Sequence, residues 1–293
     1  MIKTLAAYVK EYKKVSFLTP VCMIGEVIME MLIPLLMSSI IDEGVNKGDM
    51  DHIYRIGILM IIAAALGLVF GALGGIFGAR ASTGFAKNLR KGMFDNIQRF
   101  SFANIDKYSV AGLVTRLTTD VSNLQNAYQM LLRMSFRAPT TLIIAMVMAF
   151  IINGQLACIY LAAVLALGMV LIYIMRKATR YFKEVFEKYD DLNASVQENV
   201  TGIRVVKAYV REDYENKKFS KAAEKLYWMF VKAERIVVCN APIMQFTVYT
   251  CILLISWLGA KMIIGSALTT GELMSLLTYC MNILMSLMML SMI

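Results

Sequence analysis

Charge is scarce in this sequence. Asp, Glu, Lys and Arg supply 17% of its 293 residues, against 58% hydrophobic ones. Soluble domains carry about 25% charged residues, so an ordinary water-soluble fold is excluded. Proline is scarce too: four residues leave long helices unbroken, because each proline removes a backbone donor and crowds the preceding turn. Histidine occurs once, as His52, with no second His or Cys near it. Five cysteines (Cys22, Cys158, Cys239, Cys251 and Cys280) stand singly in apolar runs, without a C-x-x-C pair. Neither a metal site nor a disulfide framework has its residues, and the expectation is buried thiols. No nucleophile–base pair is present, so no catalytic residue is assigned. The N-terminal MIKTLAAYVKEYKK is basic but lacks the apolar core and cleavage site of a signal peptide. Leu5, Val9 and Tyr12 share one side of it, which predicts an interfacial amphipathic helix over residues 1–14.

Apolar length is abundant. A span needs about 20 apolar residues, and six segments meet or approach that. Extended by their polar but periodic flanks, they predict helices at about 15–42, 53–100, 110–152, 156–207, 217–263 and 272–293. On six crossings, Lys47, Arg55 and Lys261 fall on one side and every other Lys and Arg on the opposite side. The positive-inside rule makes the rich side cytoplasmic, with the N-terminus. The net charge of +9 is then a topology signal rather than a nucleic-acid footprint.

The two long connections on that side are patterned. Phe85, Leu89, Met93, Ile97 and Phe100 step by threes and fours, as do Leu113, Leu117, Val121, Leu124, Tyr128 and Leu131. So do Leu192, Val196, Val200, Ile203, Val206 and Val210. Each is an apolar stripe on a polar helix. The spanning helices therefore continue beyond the headgroups as hairpins, with tips near 101–109 and 209–216. Aromatic residues mixed with charges at both tips suit docking on another protein.

Four motifs carry a resemblance. ENVTGIRVVKAYVREDYENKKF (198–219) is similar to the second cytoplasmic loop of ABC exporters of the type I fold. AGLVTRLTTDV (111–121) resembles the run after their first coupling helix. IIDEGVNKGD (40–49) and LTTGELMSLLTYCMNI (268–283) resemble their two outer-loop edges. The chain is similar to one half of the bacterial heterodimeric multidrug exporters, through MLLRMSFRAP at 130–139. The resemblance implies an all-α membrane protein with six long transmembrane helices, cytoplasmic extensions and two coupling-helix loops. It places the domain at 15–293 in a bacterial inner membrane.

It also implies partners: ATP-binding domains, a second transporter half (a heterodimer favoured), the lipid bilayer and a small amphipathic substrate. Phe102, Asn104 and Ile105 would touch an ATPase domain at the first tip, and Tyr209, Arg211, Glu212 and Asp213 at the second. ATP and magnesium would sit on those domains. Residues 1–293 contain no G-x-x-x-x-G-K-[ST], and the last helix is expected to be truncated. A freestanding scaffold or channel is the other reading, and it leaves the tip motifs unexplained.

Within the spans, Glu26 and Glu30 share a helix face. Carboxylates at that depth are costly and face a cavity or a partner. They are read either as bordering the path of a cationic, amphipathic cargo or as pairing with Arg80 or Arg137. Asn282 and Met285 are placed on the same pathway. Gly67, Gly71 and Gly75 predict close helix packing, Asn240 and Gln245 are expected to satisfy backbone groups freed by Pro242, and Thr269 and Glu272 predict a capping box.

Overall fold

A computed structural model describes residues 2–101 and 108–292. Among them no strand occurs, and six helical stretches are long and apolar enough to cross a membrane. In order, α1 is Ile2–Ala6, followed by a tight turn at Ala7–Tyr12. Then come α2 Lys13–Ser39, α3 Met50–Ile97, α4 Val110–Thr115, α5 Val121–Ile152, α6 Gly154–Thr201, α7 Ile203–Ala208, α8 Glu212–Val238, α9 Asn240–Ile264 and α10 Thr270–Met292. Wider π turns at Ile40–Val45 and Arg116–Asp120 extend α2 and join α4 to α5. The 48 residues of α3 make about 72 Å of helix, more than twice the ~30 Å hydrocarbon layer.

Two units divide the chain: Met1–Leu161 with Cys251–Ile293, and Ala162–Thr250. In the first, α2 packs chiefly on α3, and α10 on α5 and α2. Glycines make the first of these contacts close. A Cβ on Gly67 would meet the Cβ of Met29 at 3.5 Å, and one on Gly71 would meet the carboxyl carbon of Glu26 at 3.2 Å. Gly74 faces the Met23 methyl, and Gly78 faces Thr19 and the stem of Arg133. Gly75 faces open space. The packing stripe is thus 67, 71, 74 and 78, not 67, 71 and 75. Strict steps of four drift off a face that repeats every 3.6 residues. On the other side of α3, Ile58, Ile61, Leu68, Val69 and Ile76 are exposed, as a lipid-facing surface requires.

The α10 helix is stitched to backbone carbonyls. Ser275 Oγ donates to Pro34 O at 2.5 Å, Tyr279 Oη to Met31 O at 2.7 Å and Tyr160 Oη to Leu276 O at 2.8 Å. Each buried hydroxyl thereby finds an acceptor where water is absent. The predicted N-terminal stripe is also used. Val9 is buried with Phe85, Ala86, Leu89 and Val121, and Leu5 and Tyr12 pack on that cluster.

The second unit has its own small core. Val185 of α6 meets Leu226 and Ala233 of α8, flanked by Tyr181, Phe182, Leu192, Met229 and Phe230. The fourth helix ends at Thr201 and resumes at Ile203. Gly202, the poorest helix former after proline, stands at the break. The fifth breaks at Cys239, three residues before Pro242. Asn240 Oδ1 is buried there with no hydrogen-bond partner among the described residues.

Candidate functional site

Three places concentrate polar chemistry. The first is an ion triad between α2 and α5. Arg137 donates through one terminal nitrogen to Glu26 Oε1 and through the other to Glu30 Oε2, the latter at 2.8 Å. The four-residue spacing of the carboxylates puts both on one face, and the planar guanidinium spans them. Of the two pairing partners considered for the carboxylates, the structure selects Arg137. Asn282 of α10 reaches the same stretch of α2, its amide 3.9 Å from Met31 Sδ. Met285, one turn on, is exposed.

Beside the triad lies a cavity of about 440 Å³. Its polar walls are Arg133, Arg137, Asn126 and Gln129, and methionines from α2, α5 and α10 supply the rest. Glu26 and Glu30 do not line it. Arg133 was not singled out by the sequence, and it makes no ion pair among the described residues. Only its four-residue spacing from Arg137 could have drawn attention to it.

The second place is the turn end of the first unit. Gly48, at φ 72, closes the turn before α3 in a backbone region that favours glycine. Asp49 then caps α3 by accepting from the His52 amide at 3.1 Å. The expected capping box on α10 is present. Thr269 Oγ1 accepts from the Glu272 amide at 3.2 Å, and Glu272 Oε2 accepts from the Thr269 amide at 2.9 Å. Asp42 adds what the sequence did not disclose. Its carboxylate accepts from the Thr269 hydroxyl at 2.6 Å, the Gly271 amide at 2.9 Å and the Ser38 hydroxyl at 3.2 Å. A carboxylate at a helix N-terminus also meets the positive end of its dipole. Asp42 and Thr269 are 227 residues apart, a separation that no local pattern spans.

The third place is the tip of the second unit. The α7 helix ends in a left-handed cap: Arg211 N–H donates to Val206 O at 2.9 Å and Val210 N–H to Lys207 O at 3.2 Å. Val210 occupies the position usually held by glycine, at φ 51. Val210 is 82% exposed and Tyr209 74%. Arg211 stacks over the Tyr214 ring at 5.9 Å, and Glu212 and Asp213 open α8. All four predicted contact residues of this tip therefore lie together. Phe102, Asn104 and Ile105 fall outside the described residues.

A β-branched residue in the left-handed region costs about 1–2 kcal/mol. Glycine relieves that strain but adds unfolded-state entropy worth about 0.4–1 kcal/mol. Val210→Gly is therefore expected to slow amide exchange at residues 210–211 by about two- to five-fold. Faster exchange in the variant would show that the cap is unstrained.

The family model for the ABC transporter transmembrane region matches residues 16–288. The chain belongs to this family. This ABC transmembrane region is 31% identical over 277 residues to the uncharacterized ABC transporter ATP-binding protein YfiB of Bacillus subtilis, covering 94% of this chain and 48% of that protein. An uncharacterized ABC transporter ATP-binding protein of Mycobacterium tuberculosis is 26% identical over all 293 residues, half of its own length. An ATP-dependent lipid A-core flippase of Hahella chejuensis is 24% identical over 205 residues, 70% of this chain and 35% of that protein. The ABC transmembrane region thus spans about half the length of the curated relatives it matches, or less.

Proposed function

We propose that this chain is the membrane half of an ATP-driven exporter. It moves hydrophobic or amphipathic substrates outward by alternating access, and ATPase domains outside residues 1–293 drive it. The observation that carries this reading is the tip at Tyr209–Asp213. Two large apolar residues stand largely exposed on a strained cap, at the end of a hairpin whose helices have their own core. Exposed apolar surface beside charge suits insertion into a partner groove. The relatives support it, since YfiB, the Mycobacterium tuberculosis protein and the lipid A-core flippase are each named as ATP-binding or ATP-dependent.

In this mechanism the tip transmits force. Tyr209 and Val210 enter a groove on an ATPase domain, and Arg211, Glu212 and Asp213 fix the register by charge. Phe102, Asn104 and Ile105 play the same part at the other loop. ATP and magnesium bind to the ATPase domains, since residues 1–293 contain no phosphate loop. A second half completes the transporter, and a heterodimer is the arrangement we favour. The basic side of the chain, with the segment 1–14 at the interface, faces the cytoplasm of a bacterial cell. Glu26, Glu30, Asn282 and Met285 border the substrate path, with Arg137 holding the carboxylates in place.

The test is made on the transporter assembled with its ATPase domains in proteoliposomes. Val210→Asp should lower export of an amphipathic dye at least ten-fold while basal ATP hydrolysis stays within about two-fold. Export at the wild-type rate would remove the tip from the coupling path.

A further inference from the structure

We infer that the cavity beside the triad binds the anionic head of a single-chain amphiphile or lipid, with Arg133 as its principal ligand. Three observations lead there. The first is charge. The two carboxylates are turned onto Arg137 and do not line the cavity, while Arg133 and Arg137 do. The carboxylates compensate the charge of Arg137, so a cationic head group meets like charge at Arg133 and an anionic one meets its fork of donors. Arg137 has already committed a nitrogen to each carboxylate. Arg133 has no carboxylate to satisfy among the described residues, so its five N–H groups are open to a phosphate, sulfate or carboxylate.

The second observation is depth. Arg137 stands about 15 residues from the end of α5 at Ile152, or roughly 22 Å at 1.5 Å per residue. Arg133 is one turn farther, at roughly 28 Å. A hydrocarbon layer is about 30 Å thick. If Ile152 marks one headgroup boundary, Arg133 lies near the other, and Arg137 lies just inside the apolar layer. Head groups are found at the level of Arg133, and acyl chains at the level of Arg137 and beyond.

The third is the wall. Met23, Met130, Met134 and Met289 supply the apolar lining. Methionine adapts its shape to flexible chains, so the lining suits an alkyl tail more than a rigid ring. A volume of about 440 Å³ holds a compact head and the first methylenes, not a whole diacyl lipid. The stem of Arg133 rests on Gly78 of α3, whose Cβ would come within 3.5 Å of it. Asn126 and Gln129 add neutral hydrogen-bonding groups around the head.

This inference stands apart from the exporter reading, since binding requires no turnover. The chain is placed in phosphatidylcholine nanodiscs, and binding of radiolabelled dodecyl phosphate is measured at equilibrium. Arg133→Gln should weaken it at least ten-fold, and Arg133→Lys should restore part of the loss. The thermal midpoint of Arg133→Gln should match wild type, since no ion pair is broken. Dodecyltrimethylammonium should not compete, and inorganic phosphate should compete only at far higher concentration, because it lacks the tail. Phosphatidylglycerol in the disc distinguishes the sources. Displacement by it assigns the site to a bilayer lipid, and no displacement assigns it to a single-chain amphiphile; both support the inference. Equal binding in Arg133→Gln, no binding in wild type, equally tight binding of the cationic detergent, or inorganic phosphate competing as well as the amphiphile would overturn it. A chain that binds dodecyl phosphate but whose assembled transporter exports nothing refutes the exporter reading alone. An active exporter with an indifferent Arg133 refutes the site alone.

Discussion

Arg137→Gln is expected to destabilise the chain by about 2–3 kcal/mol. Removing one partner of a fully buried ion pair costs about 3–5 kcal/mol, because the other charge is left stranded. Here the side chains are 30% exposed for Arg137, 21% for Glu26 and 43% for Glu30, so solvent reduces the loss. Two carboxylates on one helix face would then repel each other as well as lack a counter-ion. Glu30→Gln alone should cost less than about 1 kcal/mol, since it is the most exposed member and Glu26 still holds the guanidinium. The triple variant Glu26→Gln, Glu30→Gln, Arg137→Gln should recover most of the loss, because no charge is left without a partner. Thermal unfolding of all three in the same lipid discs measures the order. A triple variant as unstable as Arg137→Gln would mean that the geometry of the side chains, not their charge, holds α2 to α5.

Removing the Asp42 carboxylate should release the N-terminus of α10. Asp42→Ala loses the acceptor of the Thr269 hydroxyl, the Gly271 amide and the Ser38 hydroxyl. It also loses a favourable charge at the helix dipole. Loss of a helix cap costs about 1 kcal/mol, and charge-assisted bonds raise that; the expected total is about 2 kcal/mol. Gly271→Ala should act through the same contact. An alanine Cβ there would stand 2.5 Å from both Asp42 Oδ2 and the Ser38 carbonyl oxygen. The second of these is backbone and has little room to give way. Because both changes break one latch, the double variant should cost no more than the worse single one. Amide exchange over residues 269–275 reads the release directly, and additive losses would show two independent contacts.

Legibility followed the range of the forces. Helix existence, length and approximate ends could be read because apolar runs and a 3.6-residue period are local properties. The capping box at Thr269 and Glu272 was equally local, being three residues apart. The four contact residues expected at the second tip rest on a motif within one segment, and the structure puts them at the break between α7 and α8. Asp42 was visible within IIDEGV, but its acceptor role needed a helix that begins at Thr270. Arg133 lies within MLLRMSFRAP, and its importance depends on which neighbours it lacks. The glycine stripe was placed on the right helix but one residue out of phase at Gly75, because a step of four approximates the true period only over a turn or two.

Composition and periodicity settled by themselves that the described residues form six long apolar helical stretches and no strand. Hydrogen bonds within a helix and the aversion of apolar side chains to water act between near neighbours, and the order of residues encodes both. Only the tertiary structure decided that Arg137 takes both carboxylates, that Asp42 fastens α10 and that Arg133 faces a methionine-walled cavity. Each depends on which helices lie side by side, a choice made by packing within the first unit.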